Sequence, residues 1–190
     1  IDAMEKAEEA GKMTVRLHTG DPSIYGAIRE QMDRLDKKKI AYDVCPGVSS
    51  FCGAASSLHA ELTLPGVSQS VIITRMAGRT GVPERESFRS LAAHHATMAV
   101  FLSTGLLSQM EQELAEAGYE PDSPAAIIYK ATWPEEKIFR CTVGTLHATV
   151  TENGMKKTAL IVVGGCLGGE YLRSLLYHPD FTTEYRKGKA

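Results

Sequence analysis

The sequence predicts an α/β protein. Three observations carry this: short continuous apolar runs of strand length, helix-forming stretches between them, and glycine or proline punctuation at the joins. The runs SVIIT, ATMAVFL, PAAIIY and TALIVV lack polar alternation, as strands buried on both faces of a sheet require. Such runs alternating with helices lead to the expectation of largely parallel sheets.

Taken in order, IDAMEKAEEA at 1–10 has helix-forming composition and runs into Gly11, a C-cap residue. MTVRLH at 13–18 reads as a strand. Pro22 and Ser23 are predicted to open a second helix, because Ile24, Ala27, Ile28, Met32 and Leu35 keep helical spacing, and Lys37 to Lys39 close it. IAYDV at 40–44 reads as a strand, CPGVSS as a turn, and the small residues of FCGAASSLHAEL as a closely packing helix. TLPGV marks a linker, so residues 1–64 and 65–190 are predicted as separate α/β domains. In the second, helices are predicted in ERESFRSLAAHH, in LLSQMEQELAEAG and, shorter, near GTLHATVTENG. KIFRCTV at 137–143 alternates less cleanly and is expected to pair antiparallel with IIYKA.

Bulk properties narrow the function classes. At 190 residues, with 43% hydrophobic and 23% charged residues, the chain can bury a sizeable core, which excludes general disorder. A net charge of −2, with scattered Lys and Arg, argues against a strong sequence-independent grip on nucleic acid. Cys45, Cys52, Cys141 and Cys166 form no CxxC pattern and read as reduced thiols with structural roles. No signal peptide is recognisable, and no apolar run approaches the roughly 20 residues that span a bilayer. The expectation is a soluble cytoplasmic protein without a membrane partner.

In open α/β sheets, ligands lie beyond the carboxyl ends of strands, where Gly20 and Asp21 follow VRLH. Glycine permits close approach to the backbone, Pro22 suits a first helical turn, and Asp21 complements a helix dipole. A strand-to-helix turn with a carboxylate cap needs no ligand, so these residues alone leave both readings open. If a ligand sits there, the Asp21 carboxylate would repel a phosphate and tolerate an ammonium or sulfonium group, as in S-adenosylmethionine. Phosphate cradles are also missing: GGCLGG at 164–169 has the wrong spacing for GxGxxG, and no GxxxxGK[ST] occurs. The adjacent His94 and His95 would diverge on a helix, which disfavours a metal site. Trp133 and Tyr129 could flank an adenine, although a core role is favoured.

GDPSIYG at 20–26, PGVSS at 46–50, LTLPGVSQSVIITR at 62–75, FLSTG at 101–105 and ALIVVG at 159–164 resemble, in this order, the motifs of the tetrapyrrole methylase family. RLHTGDPSIYGAIREQM and LPGVSQSVIITRMAGRTGVPE carry a closer likeness to its members that act on corrin precursors in cobalamin biosynthesis. The resemblance implies two α/β domains with S-adenosyl-L-methionine in the cleft between them, usually in a homodimer. It further implies methyl transfer to a ring carbon of a tetrapyrrole. Family members open with a strand and a GxGPGDP loop, and nothing similar precedes the first motif here. The expectation is an incomplete first domain followed by a complete second one.

Carried onto matching positions, the family's donor contacts are Thr19, Gly20, Asp21 and Ile24, then Ser49 and Ser50, then Thr104, Ala131 and Ala159. Relatives commonly carry a bulkier residue at the position of Thr104. A substrate rich in carboxylates would favour arginine walls, making Arg75, Arg79 and Arg85 the acceptor candidates. Methyl transfer from a sulfonium needs no protein nucleophile, and no His, Glu or Asp identifies itself as a base. Two alternatives stand beside this reading: a methylase of the same fold with another acceptor such as uroporphyrinogen III, or a truncated, non-catalytic module that dimerises.

Overall fold

The computed structural model describes residues 1–169 and 171–188. They fall into two compact units divided between Gly53 and Ala54.

The first unit holds α1 (Asp2–Glu9), α2 (Ile28–Lys37) and the start of α3 (Ser50–Leu58). Ion pairs from Arg34 to Asp2 and from Lys38 to Glu5 join α1 to α2. The second helix starts at Ile28 rather than at Pro22. Residues 22–25 form a turn, and Tyr25 and Ala27 take left-handed φ values of 55° and 49°, which no helix can absorb. The two expected strands, 13–18 and 40–44, form no ladder. Met13, Val15 and Leu17 alternate as a strand face would, yet all three are exposed.

The second unit contains β1 (Val71–Arg75), α4 (Phe88–Ala92), β2 (Thr97–Phe101), α5 (Leu107–Glu116), β3 (Pro124–Tyr129), β4 (Lys137–Thr142), α6 (Leu146–Glu152) and β5 (Ala159–Val163). Its five-stranded sheet has the order β1-β2-β5-β3-β4. Only β1 and β2 are parallel, with α4 in the crossover; β2–β5, β5–β3 and the β3–β4 hairpin are antiparallel. The expected antiparallel partner of IIYKA is therefore present, whereas the largely parallel sheet is not.

Both faces of the central strands β2, β5 and β3 are buried, which explains their continuous apolar runs. Met98, Val100, Ile127, Ile161 and Val163 meet Leu107, Met110 and Leu114 of α5 and Leu146 and Val150 of α6 in one core. The α5 residues recur at helical spacing and so share one stripe. Residues of the opposite parity, including Ala99, Ile128 and Val162, are equally buried. On that side Thr97 donates to the Leu62 carbonyl (2.8 Å) and Arg140 to the Leu58 carbonyl (2.7 Å), fastening the segment between α3 and β1 to the sheet. The Ser68 hydroxyl also accepts the Thr97 N–H at 3.1 Å. Among the described residues, no helix is long and apolar enough to cross a membrane.

Candidate functional site

Two clusters gather the predicted site residues. In the first unit, Asp21 is the organising group. Its Oδ1 accepts the Ser23 N–H (2.9 Å) and the Ser23 hydroxyl (2.5 Å), while Oδ2 accepts the Gly47 N–H (2.9 Å). These bonds, led by the Ser23 hydroxyl and then the Gly47 amide, hold the carboxyl below its usual range and keep it ionised. The carboxylate thus faces its own chain and staples GDPS to PGVSS.

Glycine serves the same junction. A Cβ on Gly47 would collide with the Gly20 carbonyl oxygen. A Cβ on Gly20, whose φ is +65°, would lie 3.4 Å from Ser49 Cα and 3.6 Å from the Ser50 amide nitrogen. The crossing therefore brings Thr19, Gly20 and Asp21 beside Ser49 and Ser50. Thr19, Gly20 and Ser50 are exposed, Ile24 is half-buried, and Ser49 is buried at the start of α3.

In the second unit, Arg75, Thr104, Ala131 and Ala159 lie at the same end of the sheet, spread across its strands. Arg75 pairs with Phe101, Tyr129 pairs with Ala159, and the Lys130 N–H donates to the Thr158 carbonyl at 2.8 Å. Thr104 and Ala131 follow the carboxyl ends of β2 and β3 there. Thr104 borders an open groove of about 720 Å³, shared with Gly105, Gln112, His147, Gly154 and Lys156. Ala159 packs into the core.

The FLSTG turn rests on Ser103, which the sequence reading passed over in favour of Thr104. Ser103 is fully buried; its hydroxyl accepts the Met76 N–H (2.9 Å) and donates to the Phe101 carbonyl (2.7 Å). It thereby locks the end of β1 to the end of β2. A small polar residue directly after an apolar strand was the available signal.

The arginines divide into different roles. Arg75 donates to the carbonyls of Met76 (3.2 Å), Thr80 (3.1 Å) and Gly81 (2.7 Å), so its guanidinium shapes its own loop. Arg79 and Arg85 are exposed, and Arg85 lies 3.6 Å from Glu86. Trp133 is 51% exposed, so the favoured core role does not hold; it stands in a turn beside the Lys130 ammonium, 5.2 Å from its ring centroid. Cys45 and Cys52 are exposed, Cys141 is half-buried and Cys166 is buried, so a buried role fits only the later two. Burial pushes the Cys141 thiol up to about 11, which leaves it unreactive near neutrality. His95 stacks on Tyr119 with ring centroids 4.6 Å apart, and no cluster of metal-binding side chains occurs among the described residues.

Against known proteins, the family model for Tetrapyrrole (Corrin/Porphyrin) Methylases matches residues 1–147. The chain belongs to this family. This tetrapyrrole methylase is 52% identical over 188 residues to a cobalt-precorrin-4 C(11)-methyltransferase of Methanocaldococcus jannaschii, covering 98% of the chain and 73% of that relative. Its fold matches the X-ray structure of a cobalamin biosynthetic enzyme, a cobalt-precorrin-4 methyltransferase, with a TM-score of 0.87 and 45% identity over 88% of the chain and 70% of the other. A uroporphyrin-III C-methyltransferase from Thermus thermophilus, complexed with S-adenosylhomocysteine, shares the methylase fold at a TM-score of 0.69 and 21% identity, covering 87% and 72%.

Proposed function

We propose that the chain is an S-adenosylmethionine-dependent methyltransferase that methylates C-11 of precorrin-4 or cobalt-precorrin-4 in cobalamin biosynthesis. The observation that carries the acceptor is the 52% identity to the cobalt-precorrin-4 enzyme across nearly the whole chain. Support for the donor comes from the junction of GDPS with PGVSS, where an ionised carboxylate stands beside exposed main chain. A cationic donor without phosphate suits such a surface.

When bound, S-adenosylmethionine supplies an electrophilic methyl group on its sulfonium. The chain's own contribution is then binding and alignment, which an in-line displacement rewards strongly. In this reading Thr19, Gly20, Ile24, Ser49 and Ser50 offer the first unit's contacts, with Asp21 fixing their relative positions. Thr104, Ala131 and Ala159 offer those of the second, and Arg79 and Arg85 present cations to acceptor carboxylates. Arg75 shapes the loop that carries Arg79. The reading divides the chain into domains 1–64 and 65–190 and takes the protein as a cytoplasmic homodimer without a nucleic-acid partner; family resemblance supports this.

Calorimetric titration with S-adenosylhomocysteine tests the donor, and methylation assays with precorrin-4, cobalt-precorrin-4 and uroporphyrinogen III test the acceptor. Absence of binding sinks the methyltransferase reading. Turnover of uroporphyrinogen III by a donor-binding chain that leaves both precorrin-4 forms untouched moves the activity to another acceptor.

A further inference from the structure

The loop between β3 and β4, residues 130–136, carries Ala131 and has an unusual backbone. Lys130 sits at φ 49° and Thr132 at φ 68°, the latter a β-branched residue in the left-handed region. Such conformations persist only where surrounding bonds determine them. Those bonds can be traced. The Lys130 N–H donates to the Thr158 carbonyl (2.8 Å), and the Trp133 N–H returns to the Lys130 carbonyl (2.9 Å). The strained residue itself is held by a side chain: Glu136 Oε2 accepts the Thr132 N–H at 2.5 Å.

The same Oε2 also accepts the Ser57 hydroxyl of α3 at 2.7 Å. One carboxylate oxygen therefore fixes the loop internally and ties it to a helix 79 residues earlier in sequence. These bonds, the Thr132 amide first and Ser57 second, hold the carboxyl below its usual range, so it is ionised near neutrality. Lys130 turns to Glu135 (3.3 Å), leaving Glu136 to its two donors.

We infer that Glu136 is the positioning residue of the donor loop, holding Thr132 in its left-handed conformation so that the Ala131 main chain is presented in one orientation. This rests on the donor reading above. Glu136 touches neither donor nor acceptor in this scheme; it acts through Thr132 and Ala131.

Trp133, the sole tryptophan, lies inside the loop and reports its order independently of any ligand. Glu136→Ala, Glu136→Gln and Ser57→Ala are to be compared by acrylamide quenching of this fluorescence, by S-adenosylhomocysteine calorimetry and by methyl-transfer kinetics. In Glu136→Ala quenching increases, affinity for S-adenosylhomocysteine falls about tenfold, as loss of a charged hydrogen bond implies, and the donor KM rises while kcat at saturating donor is retained. Glu136→Gln, which keeps an acceptor oxygen, restores most of both effects. If Glu136→Ala does not fold, Ser57→Ala, which removes one donor to the carboxylate, must show the same changes at smaller size. Unchanged quenching in a folded Glu136→Ala overturns the proposal, as does a looser loop with undiminished affinity. Failure of the unsubstituted chain to bind sinks the donor reading and this inference together, whereas binding that survives Glu136→Ala sinks only the inference.

Discussion

Ser103→Ala offers the sharpest test of how the second unit presents its site. The hydroxyl is fully buried and spans two strand ends, at 2.9 Å from the Met76 nitrogen and 2.7 Å from the Phe101 carbonyl. Alanine removes the acceptor of a buried N–H, which costs about 1–3 kcal/mol, and a net donor bond worth about 1 kcal/mol. The expected loss is therefore about 2–4 kcal/mol, or roughly 5–15 °C in Tm for a chain of this size. Urea unfolding followed by Trp133 fluorescence and calorimetric melting measure it, with exposed Ser108→Ala as the control, expected to stay within about 0.5 kcal/mol. Since Thr104 hangs on this turn, S-adenosylhomocysteine affinity should fall too. A Ser103→Ala stability within about 0.5 kcal/mol of the parent would refute the reasoning, because a buried donor cannot lose its partner at so little cost.

The other predictions concern the remaining loops. Gly47→Ala drives a methyl group into the Gly20 carbonyl, so the crossing must open; calorimetry should show at least a tenfold loss of S-adenosylhomocysteine affinity. Asp21 has a folded-state pKa below its ordinary value of 3.8, so its stabilisation is full above that value and disappears as pH falls through the lower, folded one. Urea unfolding should accordingly find Asp21→Asn less stable than the parent at pH 7, with the gap closing on acidification below about pH 4. Arg75→Lys cannot reach three carbonyls with one ammonium. Its loop should loosen, raising the acceptor KM severalfold in methylation assays while donor affinity stays constant.

The second unit was legible in the sequence because its strands announce themselves. TMAVF, PAAIIY and ALIVV are apolar on both faces and buried on both, while VIITR at the sheet edge is mostly half-buried. Strand direction was not legible, because two-sided burial leaves the same signature in parallel and antiparallel neighbours. MTVRLH and IAYDV show the converse. A strand exists through pairing, and the alternation of Met13, Val15 and Leu17 cannot create a partner. The site's residue types were visible in its motifs, but their duties were not. Asp21 and Arg75 read as groups facing ligands, and both turn toward backbone of their own chain. Glu136 passed unnoticed because its bond to Ser57 joins residues far apart in sequence.

The bonding of the Asp21 carboxylate to its own chain also bears on how such a surface evolves. Where side chains shape the main chain and the main chain meets the donor, the positions intolerant of change are the ties, Asp21 and Gly47. The outward side chains of Thr19 and Ser50 carry less of the burden. A saturation scan selecting for donor use alone would be most restrictive at the ties. Acceptor preference could then drift on other loops without the donor surface being rebuilt.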